Sequence, residues 1–245
     1  MANIVFGGSS GIGKRIVKSF ISNTNNEVIN VDLNDYDFGE KCKTLIGDLR
    51  SAEFKDKILD TLKIIKLDSI SWTVRGKIES TDIASAIKDC LSIELYPLIE
   101  IFEALLPKII RDNTKIIVIS SIAAELVSSQ HCAYNITKSA IESFVKTQAV
   151  RIGKISEARI NIIRPGVVYM PERSQNLDAI EIKETLEKAS IPRLDPVKAE
   201  EIAELVFFLS SNKSSSLNGS IVVADGGESI LDQYYVAQLA TLSKK

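Results

Sequence analysis

Short runs of apolar, β-branched residues alternate along the chain with longer helix-like stretches. The runs at Asn3–Phe6, Glu27–Val31, Thr44–Ile46, Ser69–Thr73, Lys115–Ser120, Arg159–Arg164 and Ser220–Val223 predict seven strands. Most are near-continuous hydrophobic stretches, the pattern of strands covered on both faces of a sheet. The stretches between them include Gly11–Ile21, Ala52–Ile65, Ile83–Ile109, Ala133–Ile152 and Val197–Leu209. Strand, helix and strand in succession predict right-handed βαβ units. The expected fold is therefore α/β, a doubly wound sheet of seven parallel strands with helices on both faces. No repeat, low-complexity tract or linker divides the chain, so residues 1–245 read as a single domain. Two segments break the rhythm. Val167–Asp195 is polar, carries Pro171 and Pro192 near its ends, and has the length of a functional lid. Ser229–Lys245 extends past the last strand and has no obvious place in the sheet.

Charge and composition narrow the picture by exclusion. The net charge is −2 and no basic run stands out, so neither nucleic acid nor an anionic membrane is an expected partner. Cys42, Cys90 and Cys132 are far apart and odd in number, which reads as reduced thiols rather than a disulfide frame. The chain enters an apolar strand directly after Met1, and no apolar run reaches the ~18 residues of a membrane span. The cytoplasm is the expected location. His131 is the only histidine. A two-histidine zinc site cannot be built, and no metal is expected. A Ser-His-Asp triad would need His131 as its base; Ser121 and His131 could meet, but no nucleophile-elbow sequence surrounds that serine. His131 reads equally as a core or loop residue and as a rim residue three positions before Tyr134.

The first strand runs into Gly7-Gly8-Ser9-Ser10-Gly11-Ile12-Gly13 and then a helix. Glycine suits such a turn because the chain needs positive φ there and the backbone must approach a pyrophosphate closely. The helix start then offers unpaired N–H groups and a partial positive charge to the phosphates, with Ser9 and Ser10 as further donors. A glycine-rich turn by itself is weak evidence. Here the next strand ends at Asp32, 19 residues beyond Gly13. A carboxylate at that place accepts the adenosine ribose hydroxyls and repels a 2′-phosphate, although it can also merely cap a loop. No Lys or Arg occupies Ser9, Ser10 or Leu33, so NAD is favoured over NADP.

Tyr134 and Lys138 are four apart, one helical turn on one face. That spacing arises often by chance and gains weight only from its surroundings. The strand before it ends near Ser121, 13 residues upstream of Tyr134, and ligands of open parallel sheets bind beyond the carboxyl ends of strands. A phenol is a poor base at neutral pH; an ammonium about 4 Å away contributes ~4 kcal/mol toward its ionised form at an effective dielectric near 20. One lysine is thus sufficient to make Tyr134 an acid/base.

Together these residues resemble the short-chain dehydrogenase/reductase family, in its single-domain branch with a Rossmann-type sheet. The resemblance covers nearly the whole chain. It implies cofactor contacts from Gly7, Ser9, Ser10, Gly11, Ile12, Gly13, Asp32, Asp48, Leu49, Val74, Pro165, Gly166 and Val168, and from Tyr134 and Lys138. It implies that Tyr134 exchanges the proton, that Ser121 holds the substrate oxygen, and that Lys138 both assists Tyr134 and binds the nicotinamide ribose. It also implies a homotetramer or homodimer built through the two long helices. Four positions depart from the family's pattern. Phe6 stands where a Thr braces the turn. Thr73-Val74-Arg75-Gly76 replaces Asn-Asn-Ala-Gly, and Arg75 either meets an anionic substrate or, the plainer reading, points to solvent. Met170 replaces a Thr that contacts the carboxamide. Glu94 aligns with the Asn of the proton relay, and either carries the relay differently or is a solvated helix residue.

The resulting expectation is an NAD-dependent oxidoreductase of a small alcohol or ketone, with Ser121, Tyr134, Lys138 and Glu94 in the catalytic group. The alternative is a cofactor-binding or regulatory protein that keeps the fold without the chemistry. Glu172, Arg173, Gln175, Asn176, Asp178 and Arg193 make the lid polar and point to a sugar, cyclitol or hydroxy acid rather than a steroid or acyl chain.

Overall fold

A computed structural model describes residues 1–127, 132–170 and 196–232. The main sheet has seven parallel strands: β1 (Ala2–Phe6), β2 (Glu27–Asp32), β3 (Cys42–Ile46), β4 (Leu67–Trp72), β5 (Lys115–Ile119), β6 (Arg159–Pro165) and β9 (Ile221–Ala224). They run in the order β3-β2-β1-β4-β5-β6-β9. The strand order reverses between β1 and β4, which opens a crevice beyond their carboxyl ends. Alternate residues of each strand enter opposite cores. Ile4 and Phe6 of β1 join Trp72 on the face covered by α2 (Ala52–Lys63), α4 (Tyr96–Asp112) and α5 (Cys132–Gly153). Val5 faces the other core with Ile16, Phe20, Ile202 and Val206 of α1 (Gly11–Asn23) and α6 (Ala199–Ser210). Two buried faces explain why the strands read as unbroken apolar runs. No helix among the described residues is long and apolar enough to cross a membrane.

Two elements differ from the sequence expectation. The stretch Ile83–Ile109 is not one regular helix: α3 (Ile83–Cys90) and α4 flank a π turn at Leu91–Leu95. The wider turn carries Glu94, which is wholly buried. Such insertions re-aim a side chain and recur at functional sites. Val197 does not open a helix. It lies in β8 (Val197–Lys198), which pairs in parallel with β7 (Val168–Tyr169) and joins the two ends of the expected lid. The rest of that lid (171–195), the tail beyond residue 232, and His131 lie outside the described residues.

Candidate active site

The glycine turn between β1 and α1 is forced by its neighbours. Gly7 and Gly11 have φ of 82° and 52°, the left-handed region that suits glycine. A Cβ on Gly13 would lie 2.1 Å from the Gly7 carbonyl oxygen and 2.6 Å from Thr73 Oγ1, so a side chain there would push the turn apart. Two residues that sequence reasoning missed hold this turn. Asn30 Oδ1 accepts the Gly8 N–H at 3.0 Å, and Asn30 Nδ2 donates to Ser9 Oγ at 2.9 Å. The Thr73 hydroxyl lies 2.8 and 2.9 Å from the Phe6 and Gly7 carbonyls. Thr73 therefore supplies a brace that Phe6, which has no hydroxyl, cannot. Phe6 is left to pack on Trp72 with ring centres 4.8 Å apart.

Asp32 stands beside the glycine turn at the end of β2. Its carboxylate accepts the backbone N–H of Ser9 at 2.9 Å and of Asn34 at 3.0 Å. Each oxygen keeps lone-pair capacity for a ribose hydroxyl. The Ser9 hydroxyl is spent inside the turn, donating to the Asn34 carbonyl at 2.6 Å, so it is not the phosphate donor that the sequence suggested. The carboxylate of Asp48 holds Arg50 Nη2 at 2.6 Å, and that bond first of all lowers its pKa, against a smaller cost of burial.

One cleft of about 740 Å³ runs from this turn to the end of β5 and β6. Of the expected site residues, Gly7, Ser10, Ile12, Gly13, Asp32, Asp48, Leu49, Val74, Ser121, Tyr134, Lys138, Pro165, Gly166 and Val168 line it. Ser9, Gly11 and Glu94 do not. Met170 and Arg75 also reach the wall. The cleft therefore brings the glycine turn, the Asp32 carboxylate, the Ser-Tyr-Lys set and the Pro-Gly turn to one surface. These groups fit a dinucleotide, with glycine backbone at one end, Asp32 beside it, and hydroxyl and ammonium groups at the other.

At the far end, Ser121 follows β5, and its hydroxyl accepts the Ala123 N–H at 3.2 Å. Tyr134 and Lys138 project from the first turns of α5 and are largely buried. Lys138 Nζ lies 5.6 Å from the centre of the Tyr134 ring and 3.5 Å from the Ile119 carbonyl oxygen. Glu94 is not the solvated helix residue that was one of its two readings. Its Oε2 lies 2.8 Å from Lys138 Nζ, and its Oε1 accepts the Gly76 N–H at 2.8 Å. Arg75 does not simply point to solvent. It is exposed, yet its Cζ stands 4.9 Å from the centre of the Tyr134 ring.

Behind this wall, Glu142 of α5 accepts from Ser120 Oγ at 2.7 Å, and from Arg164 Nε and Nη2 at 3.0 and 2.6 Å. These hydrogen bonds hold the Arg164 guanidinium above its ordinary pKa, against the cost of its burial. The network ties the end of β5, the helix carrying Tyr134, and the end of β6 before the Pro-Gly turn. Glu228 accepts the Val167 N–H at 2.9 Å, and burial pushes its carboxyl up. A Cβ on Gly166 would meet Asp225 Cβ at 2.7 Å and the Asp225 backbone Cα at 3.1 Å, so a side chain there would press on the turn after β9.

A family model described as enoyl-(acyl carrier protein) reductase matches residues 7–229. The uncharacterized oxidoreductase YmfI of Bacillus subtilis is 28% identical over 240 residues, spanning 91% of this chain and 97% of that protein. The oxidoreductase UcpA of Salmonella typhimurium is 27% identical over 253 residues, spanning 93% and 94%. A solved short chain dehydrogenase family protein from Francisella tularensis superposes with a TM-score of 0.80 at 27% identity, over 94% of this chain and 99% of that one. Glycine turn, cleft and sequence likeness agree along nearly the whole length, and the chain belongs to the short-chain dehydrogenase/reductase family of nicotinamide-dependent oxidoreductases.

Proposed function

We propose that this oxidoreductase uses NAD to move a hydride between the nicotinamide and a small polar alcohol or ketone, with Tyr134 as the acid/base. The observation that carries the reading is that Ser121, Tyr134 and Lys138 share one cleft with the glycine turn and Asp32. The coenzyme supplies the hydride acceptor or donor when bound. The chain does the rest. Gly7 to Gly13 present backbone to the pyrophosphate, and Asp32 takes the ribose hydroxyls and disfavours a 2′-phosphate. Ser121 Oγ holds the substrate oxygen. Tyr134 Oη gives or takes that oxygen's proton, with Lys138 beside it for charge. NAD and a panel of polar alcohols and ketones test this. Tyr134→Phe should lose at least ~10²-fold in turnover, the size of a general acid/base contribution. Equal turnover in the two proteins contradicts the role.

The second reading, a cofactor-binding protein without turnover, is favoured by one contact, the Glu94 carboxylate on the Lys138 ammonium. It predicts coenzyme affinity with no product from any member of the same panel.

A further inference from the structure

Behind the cleft wall, the buried carboxylate of Glu142 has no part in the chemistry above. Tyr134, Lys138 and Glu142 follow one another at intervals of four residues along one face of α5. Helix side chains lean toward the N-terminus of their helix, so Glu142 reaches back toward the turns that carry the other two. Successive residues at the end of β5 are held from this face. Lys138 Nζ lies 3.5 Å from the Ile119 carbonyl oxygen, and Glu142 Oε1 accepts the Ser120 hydroxyl at 2.7 Å. The next residue is Ser121. Glu142 also holds Arg164 at two points, Oε1 accepting from Nε at 3.0 Å and Oε2 from Nη2 at 2.6 Å. The residue after Arg164 is Pro165, which opens the Pro-Gly turn. The Ser120 N–H joins the two strands directly, donating to the Ile163 carbonyl of β6 at 2.8 Å.

Stability alone does not call for this arrangement. Taking both ions out of water is costly, and apolar side chains of similar volume often serve a core as well or better. What an apolar filling lacks is direction. A guanidinium fork and a carboxylate meet in one planar geometry, which fixes where each side chain ends. A single carboxylate thus sets three elements against one another: α5 with its Tyr134, β5 just before Ser121, and β6 just before Pro165 and Gly166. Glu125 also reaches Arg164, but from an exposed side chain, where an ion pair holds little.

We propose that Glu142 is a positioning residue. Holding Ser120 and Arg164 from the helix that carries Tyr134 and Lys138, it sets Ser121 and the Pro165-Gly166 turn in register with the phenol. Glu142 is not part of the cleft wall, so it acts through these neighbours. This rests on the proposed function, with the nicotinamide at the Ser121 end of the cleft.

The test replaces the whole network by apolar side chains, in S120A/E142L/R164M, with R164K and S120A beside it. Each is compared with the parent in thermal melting, in kcat and KM with NAD on the panel of polar alcohols, and in the nicotinamide emission of bound NADH. ADP-ribose affinity reports the adenosine half alone. The triple substitution removes donors and acceptors together, so it should melt near the parent. We expect its kcat to fall at least ~10-fold all the same, since a misplacement of about 1 Å can cost up to ~10²-fold. KM for NAD and ADP-ribose affinity should stay near the parent, while the NADH emission shifts. R164K keeps the charge but loses the fork, so its kcat should fall too. S120A should lose less, in the same direction. A triple substitution that matches the parent in both kcat and emission overturns the proposal. So does a rise in KM for NAD with kcat unmoved, which makes the network a support of coenzyme binding only. Should the triple substitution fail to fold, R164K and S120A decide on the same two readings, taken well below their melting temperatures. Should the parent turn over no substrate, the oxidoreductase reading fails, while the NADH emission still decides whether Glu142 positions the nicotinamide end.

Discussion

We propose that the choice of coenzyme rests on Asp32. Its two backbone contacts hold the carboxylate still at the end of β2, where a 2′-phosphate would sit against a fixed negative charge. Hydrogen bonds to a charged group contribute about 1.5–3 kcal/mol each. Asp32→Ser should therefore raise KM for NAD by at least ~10-fold and narrow the preference for NAD over NADP, with kcat changing less. Competitive titration of the two coenzymes, monitored by nicotinamide fluorescence, measures this; an unchanged ratio removes Asp32 from the site. Glu94 is the residue least legible in the sequence. A Glu in the middle of a helix-like stretch reads as solvated, because burying a carboxylate is costly without a partner. Here the partners exist, Lys138 and the Gly76 amide, but they come from 44 residues later and 18 earlier, and spacing along the chain does not display them.

Elements were legible where one periodicity ruled them. Each expected strand of the main sheet is present, displaced at its ends by one or two residues, because a buried parallel strand must be apolar throughout. The helix expected over Ile83–Ile109 hid its π turn, since an extra residue in one turn leaves the apolar pattern on either side intact. The β7–β8 pair was missed because two-residue strands carry no period at all. The glycine turn is the element whose conformation is most tightly imposed. In Gly13→Ala the new methyl meets a backbone carbonyl, which cannot rotate away. That substitution should lower stability by about 1–3 kcal/mol, as overpacking does, and weaken coenzyme binding more than it weakens substrate binding. Thermal melts with and without NAD check it. A variant that melts like the parent and gains the same stabilisation from NAD would show that the turn tolerates a side chain.

At the scale of the molecule, the alternation of strand and helix was enough to infer a doubly wound sheet. The site followed from the sheet, because the carboxyl ends of β1, β2, β4, β5 and β6 all open on one crevice. What alternation does not carry is the outer surface. Ile136 and Val150 of α5 and Tyr96 of α4 are exposed, apolar residues on the two long helices. We propose that these helices pair between copies of the chain, giving a dimer or tetramer. Sedimentation at micromolar concentration should show the assembled species for the parent and a smaller one for I136E/V150E. A parent that sediments as a monomer overturns the proposal.

We propose that Tyr134 delivers a proton while hydride passes in the same cleft. The most direct measurement incubates the protein with NADH deuterated at the transferring position of C4 and a panel of polar ketones, and follows deuterium into the carbinol carbon by mass spectrometry. Label is expected in at least one alcohol product with the parent, and at least ~10²-fold slower labelling with Tyr134→Phe. Equal labelling by the two proteins, or no label in any product of the parent, would contradict it.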